Sequence, residues 1–246
     1  MSRAESDPGG TSAAAPTVAS GLAEHVYQLL KAEVINNEFE ADERIVIETV
    51  ALRLGVSPTP VREALARLAG EQLVSFRVYV GYAVLPPLSI SELSDLFEAR
   101  EVIESAGALR ACERSTAADL ASLREIDARI RAGRYGKEHY SDFVSFVNDN
   151  QRFHETLLDG ARNPALRRAF DALNYEARIA RRTQGRGVPD LDLICDEHAA
   201  IIEAVAARDA SQLVAAVTTH ARDSHRRLVE DIKRLGLLRV TSRSRR

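Results

Sequence analysis

Of the 246 residues none is Trp, 1 is Met and 2 are Cys, and 7 Phe with 6 Tyr leave the chain poor in aromatics. Cys112 and Cys195 stand far apart with no C-x-x-C, which excludes a disulfide scaffold and a cysteine zinc site. No run of about 18 apolar residues occurs, so no membrane span is expected. The first twenty residues have no apolar core of the secretory kind. Their Ser, Ala, Gly and Pro content predicts a disordered arm over residues 1–19, and cytoplasm is the expected compartment. Large charge of either sign is also missing. A net charge of −3 argues against unspecific coating of nucleic acid, so any DNA-binding surface must be local. No Gly-rich phosphate loop follows a strand, and no Ser, His and Asp arrangement suggests acyl transfer.

What is present is organised around Gly55-Val56-Ser57-Pro58-Thr59-Pro60-Val61-Arg62-Glu63-Ala64-Leu65-Ala66-Arg67-Leu68. Gly55 supplies the positive φ that ends a helix. Ser57 or Thr59 suits the cap of the next helix and Pro60 its first turn. Val61, Leu65 and Leu68 form one buried stripe. Ser57, Thr59, Arg62 and Arg67 are left outward at the end that a recognition helix presents to DNA. A first helix from about Leu22 to Asn37, with Leu22, Val26, Leu29, Leu30, Val34 and Ile35 inward, precedes it. A short strand Ile45-Val46-Ile47 and a second helix Glu48–Leu54 come next. The third helix runs to about Gln72. Leu73 to Val84 alternates as a hairpin with its turn near Arg77–Tyr79, and packing is the expected role of Tyr79 and Tyr82. Residues 20–87 are thus expected to form a winged helix-turn-helix.

Between Ala51 and Val84 stand four cations, Arg53, Arg62, Arg67 and Arg77, against Glu63 and Glu71, while the preceding stretch is acidic. Arg62 is the candidate for bidentate contact with guanine, and Arg53, Arg67 and Arg77 for phosphate. For Arg67 the alternative is a solvated face or an ion pair with Glu63 or Glu71.

Pro86-Pro87 closes this domain. Six helices are expected beyond it, as an all-α antiparallel bundle over residues 88–238 ahead of a basic tail, 239–246. The first opens on the capping box Ser89-Ile90-Ser91-Glu92 and runs to Arg114. The others run from Thr116 to Ala132, His139 to Asp159, Pro164 to Gln184, Pro189 to Ala207, and Asp209 to Leu235. The fold class is mainly α.

There are 6 histidines: His25, His139, His154, His198, His220 and His225. Asn150 and His154 share a helix face at i, i+4. His198 lies 10 residues before Arg208 and His220 11 after Asp209, so at ~1.5 Å per residue the two are level across a hairpin. Three imidazoles with an amide oxygen suit Zn, Ni, Co or Fe, with an open position for a ligand's carboxylate. Satisfied core histidines are the alternative.

Val56-Ser57-Pro58-Thr59-Pro60-Val61-Arg62-Glu63-Ala64-Leu65, with the wing glycine Gly81, resembles the signature of the GntR superfamily of bacterial transcription regulators. Pro58 stands where many members carry arginine, which removes one base or phosphate contact. Asn150-x-x-Phe153-His154-x-x-Leu157, Asn163-Pro164-x-Leu166, Glu197-His198-x-x-Ile201 and His220 resemble the FCD effector domain of the FadR subfamily. The resemblance implies that His154, His198 and His220 hold a divalent metal serving a small organic acid, with Asn150 in place of the usual Asp. Asn brings no charge and weakens metal binding, and Asp149, about 100° round the helix, is a poor substitute. Arg100 resembles the arginine that takes the acid's carboxylate, its alternative being a surface ion pair with Glu104. Arg178 is a second candidate. A count of six bundle helices leans toward the VanR-like branch.

The expectation is a homodimeric, ligand-responsive repressor on a pseudo-palindromic DNA operator, and not an enzyme. The rivals are a metal-dependent enzyme carrying a helix-turn-helix, opposed by the lack of a placed general base, and an orphan regulator whose metal site was lost at Asn150.

Overall fold

The computed structural model describes residues 18–133, 135, 140–173, 188 and 190–234. Expectations for the N-terminal arm, His139, Arg178, Pro189 and the basic tail lie outside these residues, apart from the arm's last two positions.

Helix α1 (Val18–Ile35) buries Val26, Tyr27, Leu30, Val34 and Ile35, while Leu22 and Leu29 are about two-fifths exposed and only flank the stripe. Strand β1 is Arg44–Ile45, shorter than expected. Val46 is already the N-cap of α2 (Ile47–Leu54), because starting the helix there turns Val50 and Ala51 into the core. Gly55 ends α2 at φ 66°. Its N–H reaches the Leu52 carbonyl at 3.3 Å and the Val56 N–H that of Ala51 at 3.0 Å, a left-handed closure that a β-carbon would strain.

Helix α3 (Pro58–Gly70) buries Pro60, Val61, Ala64, Leu65 and Leu68. Ser57 holds the N-cap position, but neither it nor Thr59 makes the expected side-chain cap bond; Pro58 begins the helix without an N–H to satisfy. The helix stops two residues short of Gln72, which adopts φ 59° and starts the turn into the wing.

The wing pairs β2 (Val74–Arg77) with β3 (Gly81–Val84), Arg77 opposite Gly81. β3 lies between β2 and β1 in an antiparallel sheet. The hairpin turn is Val78–Val80, one residue later than expected, with Tyr79 in the left-handed region at φ 66°. Packing describes only one of the two tyrosines. Tyr82 is buried with its ring 5.0 Å from Phe76, whereas Tyr79 projects fully exposed from the tip.

The bundle comprises α4 (Ile90–Arg114), α5 (Ala117–Ala132), α6 (Tyr140–Gly160), α7 (Pro164–Asp171), α8 (Leu191–Ala207) and α9 (Ala210–Arg234). Capping boxes at Ser89–Glu92 and Thr116–Asp119 start α4 and α5. Asn163 caps α7 through its side chain, and Asp209 accepts from the Gln212 N–H at 2.9 Å to start α9. The fourth bundle helix does not run on to Gln184 as expected. It closes at Asp171, where Leu173 N–H bonds back three residues to Phe170 and breaks the α-helical pattern. The helix count that leaned toward the VanR-like branch therefore extends past the described residues.

Three apolar clusters form among the described residues. One fills the winged domain and also takes in Val147 of α6, with Val144 and Phe146 packed against it. A second fills the bundle around Phe153, Leu157, Cys195, Ile201 and Val217, and a third joins α4 to α9 through Leu93, Leu96, Phe97, Leu228 and Ile232. Both cysteines are free thiols inside the structure.

Candidate functional site

On the DNA side, Ser57, Thr59, Arg62, Arg77 and the partly exposed Gly81 all reach solvent. Arg62 carries no ion pair or hydrogen bond among the described residues, so its guanidinium is uncommitted. Arg53 and Arg67 differ. Arg53 donates two bonds to Glu33 at 2.6 and 2.7 Å. Arg67 pairs with Glu24 at 2.6 Å and lies 3.6 Å over the Tyr27 ring. Its partner is thus neither Glu63 nor Glu71, since Glu71 is taken by Lys31 at 2.9 Å and by the Tyr27 hydroxyl. Both arginines keep nearly half of their side chains exposed, and a phosphate would compete with their own α1 carboxylates for them.

The second site is a cage built from five helices. α4 brings Arg100 and Glu104, one turn apart, and α5 brings Asp127. α6 brings Asn150 and His154, α8 Glu197 and His198, and α9 His220. His154 and His198 are fully buried, and His220 is 2 % exposed. Their ring nitrogens lie within 4.8 Å of one another, so the matched spacing read across the helical hairpin brings the rings together. Asn150 is buried on the same face of α6, one turn before His154, while Asp149 is committed to Arg129 at 3.1 Å.

Each imidazole has a carboxylate behind it. His154 Nδ1 lies 2.8 Å from Glu104, and His220 Nδ1 lies 2.8 Å from Glu197, whose carboxylate also accepts from Arg227 at 2.5 and 2.9 Å. Asp127 stands 3.6 Å from His198 Nδ1, too far for a hydrogen bond. His198 accordingly has no hydrogen-bond partner for either ring nitrogen among the described residues, and neither has Asp127 Oδ1. Phe153 stacks on the His198 ring at 3.9 Å and 9°, which fixes its plane.

A carboxylate on Nδ1 keeps that nitrogen protonated and turns the Nε2 lone pair inward, as a metal ligand requires. The residues therefore fit a divalent ion, and the clearest sign is the fully buried, unpartnered His198 ring. Three imidazoles favour Zn, Ni or Co over Mg or Ca.

Arg100 is 1 % exposed, so its ion pair with Glu104 is internal and not the surface pair considered from sequence. Its Nη2 lies against the His154 ring, 2.7 Å from Nε2 and 3.3 Å from Nδ1, and 3.4 Å from His220 Nε2. Sequence reasoning missed Asp127 altogether and gave Glu104 and Glu197 no part in the cage. Glu197 appeared only inside the motif next to His198, and Glu104 only as a surface partner for Arg100.

Burial pushes His154, His198 and His220 down to about 4, against the pull of their carboxylates. For Glu104 burial works upward, but Arg100 and His154 outweigh it and hold the carboxyl far below its ordinary range. The unfolded chain binds protons on its histidines near pH 6.5 and the folded cage only near 4. Stability is thus complete above the higher value and is lost as pH falls toward the lower one. Denaturant melts of the EDTA-treated protein should show a clearly lower midpoint at pH 5 than at pH 7. Equal midpoints would mean that the rings are hydrated.

A helix-turn-helix that presents an uncommitted arginine, joined to a bundle with a polar cage at its centre, defines a DNA-binding regulator with a ligand-binding domain. Residues 22–84 match the bacterial regulatory proteins of the gntR family, and residues 95–223 match the FCD domain. The chain belongs to the GntR family of bacterial transcriptional regulators, among the members that carry an FCD domain.

It is 30% identical over 196 residues to the HTH-type transcriptional repressor GlaR of Escherichia coli, covering 76% of this chain and 86% of GlaR. It is 26% identical over 227 residues to the HTH-type transcriptional regulator BphR of Paraburkholderia xenovorans, covering 89% and 88%. The solved structure of Escherichia coli McbR/YncC has the same fold, with a TM-score of 0.65 at 20% identity over 85% of this chain and 98% of that one. Among the described residues no helix is long and apolar enough to cross a membrane.

Proposed function

We propose that this regulator is a cytoplasmic homodimeric repressor whose hold on DNA changes when a small carboxylate enters the bundle. In this reading His154, His198 and His220 hold a divalent metal, with the Asn150 amide oxygen as a fourth, uncharged ligand. The metal and Arg100 supply the positive charge that an organic acid needs inside an apolar core. Glu104 and Glu197 orient the rings of His154 and His220, Phe153 holds that of His198, and Arg178 is a second candidate for the acid. Two copies of α3 would enter successive major grooves of a pseudo-palindromic operator, ~34 Å apart. The acid shifts DNA affinity only by the difference in its own affinity for the two arrangements of the dimer. Repression is favoured by relatives named as repressors, GlaR among them. The observation that carries the reading is the trio of buried imidazoles, one with both nitrogens unpartnered, inside a domain joined to a DNA-reading helix.

The test measures metal content of untagged protein beside His198→Ala, and then gel-shift affinity for DNA upstream of the chain's own gene. Mono-, di- and hydroxycarboxylates are added in turn, with and without Zn. Metal in the wild type alone, and an acid that changes DNA affinity only with metal present, are the expected results. No metal in either protein, with no acid changing DNA affinity, would refute the proposal. Turnover of an added acid would favour an enzyme instead.

A further inference from the structure

We infer that Arg100 is a built-in cation that competes with the divalent metal for the histidine cage, so that metal loading turns its guanidinium away from His154 and His220. The inference rests on the metal reading above and concerns how that same site is regulated.

Carboxylates fix the proton positions on two of the rings. His154 Nδ1–H donates to Glu104 and His220 Nδ1–H to Glu197, each at 2.8 Å. The Nε2 atoms of both rings are then bare lone pairs, and Arg100 Nη2 is what faces them, at 2.7 and 3.4 Å. A guanidinium only donates, and here it crowds the nitrogens that a metal needs bare. A bound Zn would stand ~2.1 Å from those nitrogens. Nη2 stands 2.7 Å from His154 Nε2 and 3.3 Å from its Nδ1, against the side of the ring, so a metal held on that Nε2 and the guanidinium would crowd one another. Two like charges in so buried a space also repel strongly.

Displacement need not unseat the whole side chain. Arg100 Nε is held by Glu104 one turn along α4, so the guanidinium is tethered at one edge while its Nη2 edge turns. Once turned, that edge needs a new acceptor, because a buried donor without one is costly. A ligand carboxylate beside the metal is the acceptor of the right charge. Metal and acid should therefore each favour the other, through an arginine that the metal releases. In this chain the device matters more because Asn150 contributes no negative charge to hold the metal against the competing cation.

The experiment titrates EDTA-stripped full-length protein with Co2+ alone and follows its visible absorption, which reports imidazole ligation directly. Arg100→Ala should bind Co2+ about tenfold more tightly than wild type, or bind it where wild type does not. Low, non-denaturing guanidinium should weaken Co2+ binding in that variant and leave the wild type unmoved. Arg227→Met, which removes a positive charge one layer further out, should change the affinity far less. Equal or weaker Co2+ binding in Arg100→Ala would overturn the inference, as would an equal gain at Arg227→Met. If the single variant fails to fold by circular dichroism, Arg100→Met with Glu104→Gln removes the cation without stranding a buried carboxylate, and its Co2+ affinity is compared with that of Glu104→Gln alone, which carries the same change at His154. Absence of Co2+ binding in every folded variant, with His198→Ala as reference, would instead sink the metal reading and the competition with it.

Discussion

Arg62→Ala should abolish selective operator binding while leaving the fold intact. The side chain is exposed and has no ion pair among the described residues, so truncating it removes no internal contact among them. A bidentate arginine–guanine contact discriminates by about 1–3 kcal/mol. In a symmetric dimer the loss is taken twice, about 2 kcal/mol at the least and some 30-fold in affinity. Gel shifts on the specific site and on scrambled DNA, at one salt concentration, provide the measurement. A parallel fall on both sequences would make Arg62 a phosphate contact, and unchanged selectivity would remove α3's first turn from base recognition. Arg53→Ala should give a smaller effect with a different signature. Its guanidinium is already held by Glu33, so the change should disturb the α1–α2 contact as well as any phosphate.

Phe153→Ala should produce the largest loss of stability in the bundle and disable the cage together with it. Phe153 is fully buried in the bundle core, and its ring lies flat on that of His198. Truncating a buried Phe to Ala costs about 3–5 kcal/mol. For a chain of this size that is a fall of roughly 6–20 °C in Tm. The same change frees the His198 ring, so added Zn should recover less of the lost stability than it contributes to the wild type. Calorimetric melts with and without Zn separate the two effects. A shift of a degree or two, with the Zn increment intact, would show that the ring is neither packed nor needed to hold His198.

These outcomes bear on what a single sequence conveys. Local chemistry was legible. Gly55 ends α2 and the Ser89–Glu92 box opens α4 through residues a few positions apart, and the Arg208–Asp209 turn places His198 and His220 level because two regular helices run from it. The long-range partners were not. Arg67 finds Glu24 across 43 positions, and Asp127 reaches His198 from a helix that carries no metal-binding pattern of its own. Arg100 and Glu104 read as a surface pair from their spacing, which is the same whether a helix face meets water or the core. Arg100 is the largest fully buried side chain, and only the packing of five helices around one point reveals it. Tyr79 misled for the opposite reason, since alternation predicts packing and the left-handed turn at the wing tip throws the ring outward.

The winged domain's core includes Val147, although that residue belongs to α6, two helical turns before His154. The boundary drawn at Pro86-Pro87 is thus a boundary of chain, while the apolar seam crosses it. Exchanging the bundle for one from another regulator would strip the reading head of a residue that it treats as its own. Helix α6 touches α1 and contributes to both the reading head's core and the ligand cage, so the two halves share material and not merely a linker.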